Sequence, residues 1–131
     1  MILTTLVRDV RESLQAIYDE LGCRHLLSIY DGALCYELRT RGLSYVRSQR
    51  CPVLYRGVRV GIHHLDLVVG GRLLVELRQV PALTPLHLRV VMAYLQAARL
   101  ERCVLANFGP NEGLEVREVD AQRRVTVGVV G

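Results

Sequence analysis

Apolar residues recur at helical spacing in the first third of the chain. The first series covers residues 6–21 and is followed by Gly22, a residue that suits the left-handed end of a helix. The second series covers residues 26–38 and leads to Gly42, with arginines in its last turn. The pattern therefore predicts two successive helices at the start of the chain.

From residue 43 the pattern changes to short runs that are typical of strands. These runs cover residues 43–48, 52–55, 58–69 and 72–80. The dipeptides Arg56-Gly57 and Gly70-Gly71 lie between runs and are typical of hairpin turns. We therefore predict three or four antiparallel strands in this part of the chain.

A third helix and three further strands are predicted after these hairpins. Thr84 suits the N-cap and Pro85 the first position of a helix that extends to about residue 99. Strands follow at residues 102–108, 114–120 and 125–129. The resulting order, ααβββαβββ, predicts an α/β fold with a mixed sheet. We expect a single domain over residues 1–131, in which residues 121–131 form an extra edge strand or a tail.

Composition narrows the class of protein. Half of the 131 residues are hydrophobic and 23% are charged, which excludes a disordered or fibrous chain. No apolar run approaches the roughly 20 residues of a membrane-spanning helix, and no signal-peptide pattern opens the sequence. We therefore expect a cytoplasmic protein with no membrane contact.

The four cysteines form no Cys-x-x-Cys pair, which favours reduced thiols over zinc or disulfides.

The basic side chains are all arginine, and their distribution is uneven. Six of them lie between residues 38 and 65, where the sequence has no Asp or Glu: Arg39, Arg41, Arg47, Arg50, Arg56 and Arg59. The guanidinium group matches phosphate oxygens, and a local positive field attracts polyanions. These six are therefore candidate nucleic-acid-binding residues, although a solvated surface explains the same pattern.

Two acidic residues lie on neighbouring predicted strands. If the hairpin closes at Gly70-Gly71, Asp66 faces Val75 and lies one residue from Glu76, so that offset or twist brings the carboxylates together. Glu76 and Arg78 share one face because strand side chains alternate. Two converging carboxylates suit Mg²⁺, which can activate water and stabilise charge on a phosphate. A cross-strand ion pair explains the same three residues.

Several short motifs carry a resemblance to a known family. The most specific are Ala82-Leu83-Thr84-Pro85 with His87, and Asn107-Phe108-Gly109. Others are Tyr30, Tyr55-Arg56-Gly57, Asp66-Leu67 and Val75-Glu76-Leu77. In this order they resemble the small GxxExxY proteins of the PD-(D/E)xK nuclease superfamily, over about residues 10–119.

The resemblance implies a restriction-endonuclease-like fold, with a mixed sheet flanked by helices. It implies that Asp66, Glu76 and Arg78 are the catalytic residues and that Asp66 and Glu76 hold Mg²⁺. Arg78 occupies a position that is normally lysine. The resemblance also implies a nucleic-acid partner. No organic cofactor is expected.

The motif that names the family is incomplete in this chain. Arg24 and Leu27 stand at the positions of its glycine and glutamate, and only Tyr30 remains. The third helix has Leu88 and Val90 where the family commonly has Glu and Gln. Leucine cannot ligate a metal, and an arginine in place of the lysine can stabilise phosphate but cannot act as a base. These differences argue against efficient hydrolysis.

The sequence therefore leaves three hypotheses. The first is a nuclease-like protein with a degenerate site of weak or no hydrolytic activity that binds nucleic acid. The second is an active Mg²⁺-dependent nuclease, with Asp66 and Glu76 on the metal and Arg78 on the scissile phosphate. The third is a homo-oligomeric assembly protein on the same fold, in which the run 125–130 pairs with a neighbouring subunit. Whether the protein is an enzyme stays open at this stage.

Overall fold

The computed structural model describes residues 1–109, 111 and 113–122, and the backbone of residues 125–130. Its helices are α1 (Leu3–Leu21), α2 (Leu27–Thr40) and α3 (Pro85–Ala98). Its strands are β1 (Tyr45–Tyr55), β2 (Val58–Val69), β3 (Leu73–Arg78), β4 (Arg102–Asn107), β5 (Leu114–Asp120) and β6 (Val125–Val130). The predicted order ααβββαβββ is confirmed. None of the helices in these residues is both long and apolar enough to cross a membrane.

The six strands form one mixed sheet in the order β1-β2-β3-β4-β5-β6. Strands β3 and β4 are parallel, because α3 carries the chain back between them, and every other neighbouring pair is antiparallel. β6 lies at one edge and extends the chain's own sheet. The predicted α/β class, with a mixed sheet flanked by helices, is confirmed.

Helices cover both faces of the sheet, each over its own apolar core. One core joins α1 and α2 to the sheet through residues such as Leu6, Leu34 and Val75. The other joins α3 to the opposite face through residues such as Leu74 and Leu95. Since side chains alternate along a strand, β3 is buried on both faces. All four cysteines are free thiols, as expected.

The turn between β2 and β3 differs from the sequence prediction. Leu67 pairs with Val75 in the observed register, so the loop comprises three residues, 70–72, rather than the Gly70-Gly71 pair alone. The prediction that Asp66 faces Val75 is therefore wrong by one residue. Continuing the observed register places Asp66 opposite Glu76.

Strands β1 and β2 continue as a two-stranded ribbon beyond the point where β2 stops pairing with β3. β2 pairs with β3 only at residues 67–69, whereas its pairing with β1 extends to Tyr55 and Val58. The predicted turn at Arg56-Gly57 is confirmed, and both residues have positive φ (50° and 77°), as a two-residue hairpin favours. We call residues 49–65 the β1–β2 ribbon. It includes the predicted run 52–55, which is continuous with the run before it in β1.

Candidate functional site

The carboxylates of Asp66 and Glu76 meet where β2 and β3 separate. The backbone N–H of Asp66 donates to Glu76 Oε2 at 2.7 Å, and the backbone N–H of Leu77 donates to Asp66 Oδ2 at 2.9 Å. Each carboxylate thus accepts a hydrogen bond from a backbone N–H of the neighbouring strand. Both bonds lie just beyond the last regular backbone pair of β2 and β3. The structure therefore brings the two predicted acidic residues together at the end of the β2–β3 ladder.

The guanidinium of Arg78 lies between these two carboxylates. Its Nη2 donates to Glu76 Oε1 at 3.0 Å, and its Nη1 lies 3.4 Å from Asp66 Oδ2. The same Nη1 donates to the carbonyl oxygen of Leu77 at 2.8 Å. One internal cation therefore contacts three oxygens from neighbouring positions of the site.

The two carboxylates lie in different environments. The Glu76 side chain is 1% exposed, whereas that of Asp66 is 39% exposed. Burial, reinforced by the negative charge of Asp66, raises the pKa of Glu76 to about 7, while Arg78 and the Asp66 N–H act in the opposite direction. Burial, with the charge of Glu76, also raises the pKa of Tyr94 on α3. Arg78 is thus the counter-ion of a carboxylate that is shielded from water.

The oxygen atoms of this site are of the kinds that bind magnesium, but their arrangement is not that of a magnesium site. Carboxylate and carbonyl oxygens are the ligands that Mg²⁺ prefers. Here, however, Asp66 Oδ2, both oxygens of Glu76 and the Leu77 carbonyl already accept N–H donors. Among the described residues, no group of three or more His, Cys, Asp and Glu side chains could hold a metal ion. With Arg78 in this position, the site does not fit a divalent cation.

A cleft of about 240 Å³ lies beside Asp66, between α2 and β1. Its lining consists of Leu27, Ser28, Asp31, Arg47, Ser48, Asp66 and Leu77. Asp31 and Arg47 form an ion pair with each other. This pair was not anticipated as a feature of the site, because its members are distant in sequence and meet only when α2 packs beside β1. Leu27, where the GxxExxY proteins that the sequence resembles have a glutamate, lines the cleft and brings no polar group to it.

The structure divides the six candidate nucleic-acid-binding arginines into two groups. Three of them interact with side chains of the protein body: Arg39 with Tyr45, Arg41 with Asp9, Glu12 and Glu37, and Arg47 with Asp31. The other three lie along the β1–β2 ribbon and its turn: Arg50, Arg56 and Arg59. Within the described part of the chain, this second group forms no ion pair. Of the six candidates, those without an ion pair therefore all lie on the ribbon or its turn.

Tyr30, which remains from the incomplete family motif, has a structural role. Its buried ring stacks on Phe108 with ring centroids 4.1 Å apart and an interplanar angle of 10°. Its hydroxyl donates to the carbonyl of Gly22 at 2.7 Å and accepts the N–H of His25 at 3.2 Å. Tyr30 thereby fixes the connection between α1 and α2 against the end of β4.

The Asn107-Phe108-Gly109 motif holds the chain that leaves β3. The Asn107 amide accepts the N–H of Val80 and donates to the carbonyl of Val80, each at 2.9 Å. A Cβ atom at Gly109 would lie 2.3 Å from the same Val80 carbonyl, so only glycine fits this close approach. These contacts support the backbone that follows Arg78 and involve no group of the cleft.

The other specific motif forms the start of α3. His87 Nδ1 accepts the backbone N–H of Thr84 at 2.9 Å and lies 3.0 Å from the Thr84 hydroxyl, which closes the first turn of the helix. Leu88, at one of the family's polar positions, packs against the core beneath α3. Both motifs that are most specific for the resemblance therefore stabilise the fold.

Comparison with known proteins gives two matches. A family model described as the PD-(D/E)XK nuclease superfamily matches residues 4–119. Among solved structures, Hjc, a Holliday junction resolvase of Archaeoglobus fulgidus, is similar at 19% sequence identity and a TM-score of 0.42, over 78% of this chain and 84% of that chain. No curated protein shows significant sequence similarity.

Proposed function

Because the chain belongs to the PD-(D/E)XK nuclease superfamily, we propose that it binds nucleic acid through a nuclease-like fold whose catalytic site has weak or no hydrolytic activity. The position of Arg78 carries this proposal. Members of the superfamily typically depend on Mg²⁺, whereas here a guanidinium contacts the two carboxylates that would hold the metal. A metal ion and Arg78 therefore compete for the same oxygens.

The residues around the cleft support phosphate binding better than water activation. A guanidinium group is not a general base, so Arg78 is not suited to accept a proton from water. Its side chain is partly exposed, and a guanidinium can hold phosphate oxygens through paired hydrogen bonds. Leu27 offers no group that could orient a water molecule. This set of side chains is thus suited to bind a phosphodiester without cleaving it efficiently.

A combined binding and cleavage assay tests the proposal. Labelled single-stranded and double-stranded DNA and RNA are incubated with the protein in millimolar Mg²⁺ or Mn²⁺, and binding and cleavage are followed on the same samples. We expect binding without cleavage. Titration calorimetry of each metal into wild type and Asp66→Ala, without nucleic acid, should show no difference between the two proteins. Metal-dependent cleavage that is lost in Glu76→Ala would contradict the proposal.

An active Mg²⁺-dependent nuclease is the second candidate, and the meeting of Asp66 with Glu76 favours it. In this alternative Arg78 leaves the carboxylates and contacts the scissile phosphate when metal and nucleic acid are both present. Cleavage by the wild type should then require Asp66 as well as Glu76. Calorimetry should detect metal binding only when a nucleic acid that resists cleavage is present.

We also propose that β6 can pair with a second copy of the chain. Its position at the edge of the sheet supports this, because an edge strand is a template for pairing. A chain that ends at residue 121 should then sediment as a smaller assembly than the full chain. An unchanged assembly state would exclude pairing through β6.

A further inference from the structure

One face of the β1–β2 ribbon is exposed and carries arginines. The register pairs Arg50 with His64 and Leu54 with Arg59. Arg50 and Leu54 are an even number of residues apart on β1, and a register shift beside Leu54 gives β2 one extra residue there, so these two pairs lie on the same face. All four residues are exposed. The alternate positions of the ribbon belong to the other face, where Cys51 is buried in the core beneath α3.

The charge of the ribbon has a single sign. Its arginines have no ion pair in the described residues, and no Asp or Glu occurs between residues 38 and 65. At the turn, the Arg56 guanidinium lies 5.4 Å from the centre of the Tyr55 ring, where it stays accessible to solvent. The ribbon therefore presents three cationic groups that are available to an anionic partner.

The end of the ribbon is also apolar. Leu54, Tyr55, Val58 and Val60 are each at least 60% exposed. Large exposed side chains that cluster together often mark a binding surface. Apolar groups among guanidinium groups suit a partner that offers both phosphates and less polar surfaces between them.

The exposed face of the ribbon leads to the cleft. Leu65 packs in the core beneath α3, whereas Leu67 packs in the core beneath α1 and α2. Residues two apart on a regular strand share a face, so β2 twists between these leucines, at Asp66. Ser48, at the same level of β1, has a φ of 51° and lines the cleft with Asp66. The face that carries Arg50 therefore points away from α3. It extends from the cleft to the hairpin turn at the end of the ribbon.

We infer that the exposed face of the β1–β2 ribbon binds the major groove of double-stranded DNA, with Arg50, Arg56 and Arg59 on the phosphates. The major groove of B-form DNA, about 12 Å wide, admits a two-stranded ribbon, whereas the deep, narrow groove of duplex RNA does not. Arg59 lies seven residues from Asp66, about 23 Å along an extended strand. A duplex on the ribbon therefore extends toward the cleft. The inference rests on the proposed function and adds the form of nucleic acid and the element that holds it.

Charge favours DNA over a second copy of the chain as the occupant. In a symmetric contact between two ribbons, the same patch faces itself, so arginines would lie among arginines. The ribbon has no acidic residue that could pair with them. A polyanion removes this repulsion and releases its counterions on binding.

The test compares two variants that lose the same charge. Arg50, Arg56 and Arg59 are replaced by Gln in the ribbon variant. The control is R8Q/R72Q/R99Q, which removes exposed arginines away from the ribbon. Two of these lie near the start of β4, at the far end of the sheet: Arg72 contacts Glu101, and Arg8 lines a cavity with Arg102. Binding to a labelled 20-base-pair DNA, to the matching RNA duplex and to single-stranded DNA is measured by fluorescence anisotropy at several salt concentrations, and thermal melting checks the fold of each variant.

We expect the ribbon variant to bind duplex DNA about 100-fold more weakly than wild type at 0.1 M salt. The slope of log K against the logarithm of the salt concentration should also be smaller in magnitude by about 2.7, because three phosphate contacts are lost. The control variant should lose much less affinity. Equal affinities of the two variants for DNA would overturn the inference but leave the proposed function intact. Equal binding of wild type to RNA and DNA duplexes would overturn the groove assignment. Absence of binding to every nucleic acid would overturn the proposed function itself.

Discussion

Leu27 and Tyr30 lie one turn apart on α2, yet only Tyr30 matches the motif of the GxxExxY proteins that the sequence resembles. Tyr30 is buried, stacks on Phe108 and donates a hydrogen bond to Gly22, whereas Leu27 lines the cleft. The matching residue supports the fold, and the differing residue lies where chemistry would take place. Two neighbouring positions of one helix thus show that the requirements of folding and of catalysis are separate.

The same contrast extends beyond α2. We call Tyr30, Asn107, Phe108 and Gly109 the scaffold group, since they hold the connections at this end of the sheet. We call Leu27, Asp66, Glu76 and Arg78 the cleft group. A resemblance that depends mainly on the scaffold group indicates the fold and the superfamily, and both agree with the structure and the family model. The candidate site lies in the cleft group, which differs at Leu27 and Arg78 from the pattern of the GxxExxY proteins that the sequence resembles.

The largest effect is expected in the scaffold group. Tyr30→Ala should lower the free energy of unfolding by about 3 to 5 kcal/mol, as truncation of large buried aromatic residues does. Tyr30→Phe keeps the stacked ring and loses only the hydrogen bonds of the hydroxyl, so it should cost about 1 kcal/mol. Urea unfolding followed by circular dichroism measures both. An alanine variant as stable as the phenylalanine variant would show that the stacked ring contributes little.

An intermediate effect is expected at Arg78. Arg78→Ala leaves the buried carboxylate of Glu76 without its counter-ion and should lower the free energy of unfolding by about 3 kcal/mol. It also releases the oxygens of Asp66 and Glu76, so Mg²⁺ or Mn²⁺ should bind to the variant and raise its melting temperature.

Calorimetry and thermal melting with and without metal distinguish this variant from wild type. The double variant Glu76→Gln/Arg78→Ala is the control, since it lacks one of the two carboxylates and should gain no metal binding. If wild type binds metal as tightly as Arg78→Ala, the guanidinium does not compete with the metal.

The smallest effect is expected from restoring the family's glutamate. Leu27→Glu should change the free energy of unfolding by less than about 1 kcal/mol. Leu27 is the first residue of α2, where a negative charge interacts favourably with the helix dipole, and this gain offsets the lost apolar contact. Leu34→Glu, on the same helix, places a carboxylate in the core and should unfold the protein. Urea unfolding compares the two variants. A cost above 2 kcal/mol for Leu27→Glu would assign this position to the scaffold group.

The sequence predicted the order of elements because each has a strong local signal. Apolar periodicity marked α1 and α2, Thr84 and Pro85 marked the start of α3, and Arg56-Gly57 marked the hairpin. The register of β2 against β3 was one residue off, since two glycines do not reveal whether the next residue belongs to the loop or to the strand. That one residue decides whether Asp66 lies opposite Val75 or Glu76.

The candidate site was predicted only in part, because its ion pairs join distant segments. Alternation along β3 placed Glu76 and Arg78 on one face, but spacing does not show where a long guanidinium side chain ends. Likewise, Arg41 and Arg47 looked uncompensated in the sequence, although folding brings them to Glu12 and Asp31. Local charge counts therefore overestimate the positive surface where segments that are distant in sequence pack together.

The two-residue turn at Arg56-Gly57 has a consequence for the order of folding. It joins β1 and β2 through contacts that are local in sequence, and such hairpins form in about 1 to 10 μs. The pairing of β3 with β4 must wait for the chain of α3 to cross over, and contacts between distant segments form more slowly. We therefore expect the arginine-bearing hairpin to fold early, and Glu76 to become buried only when the second half of the sheet assembles around it.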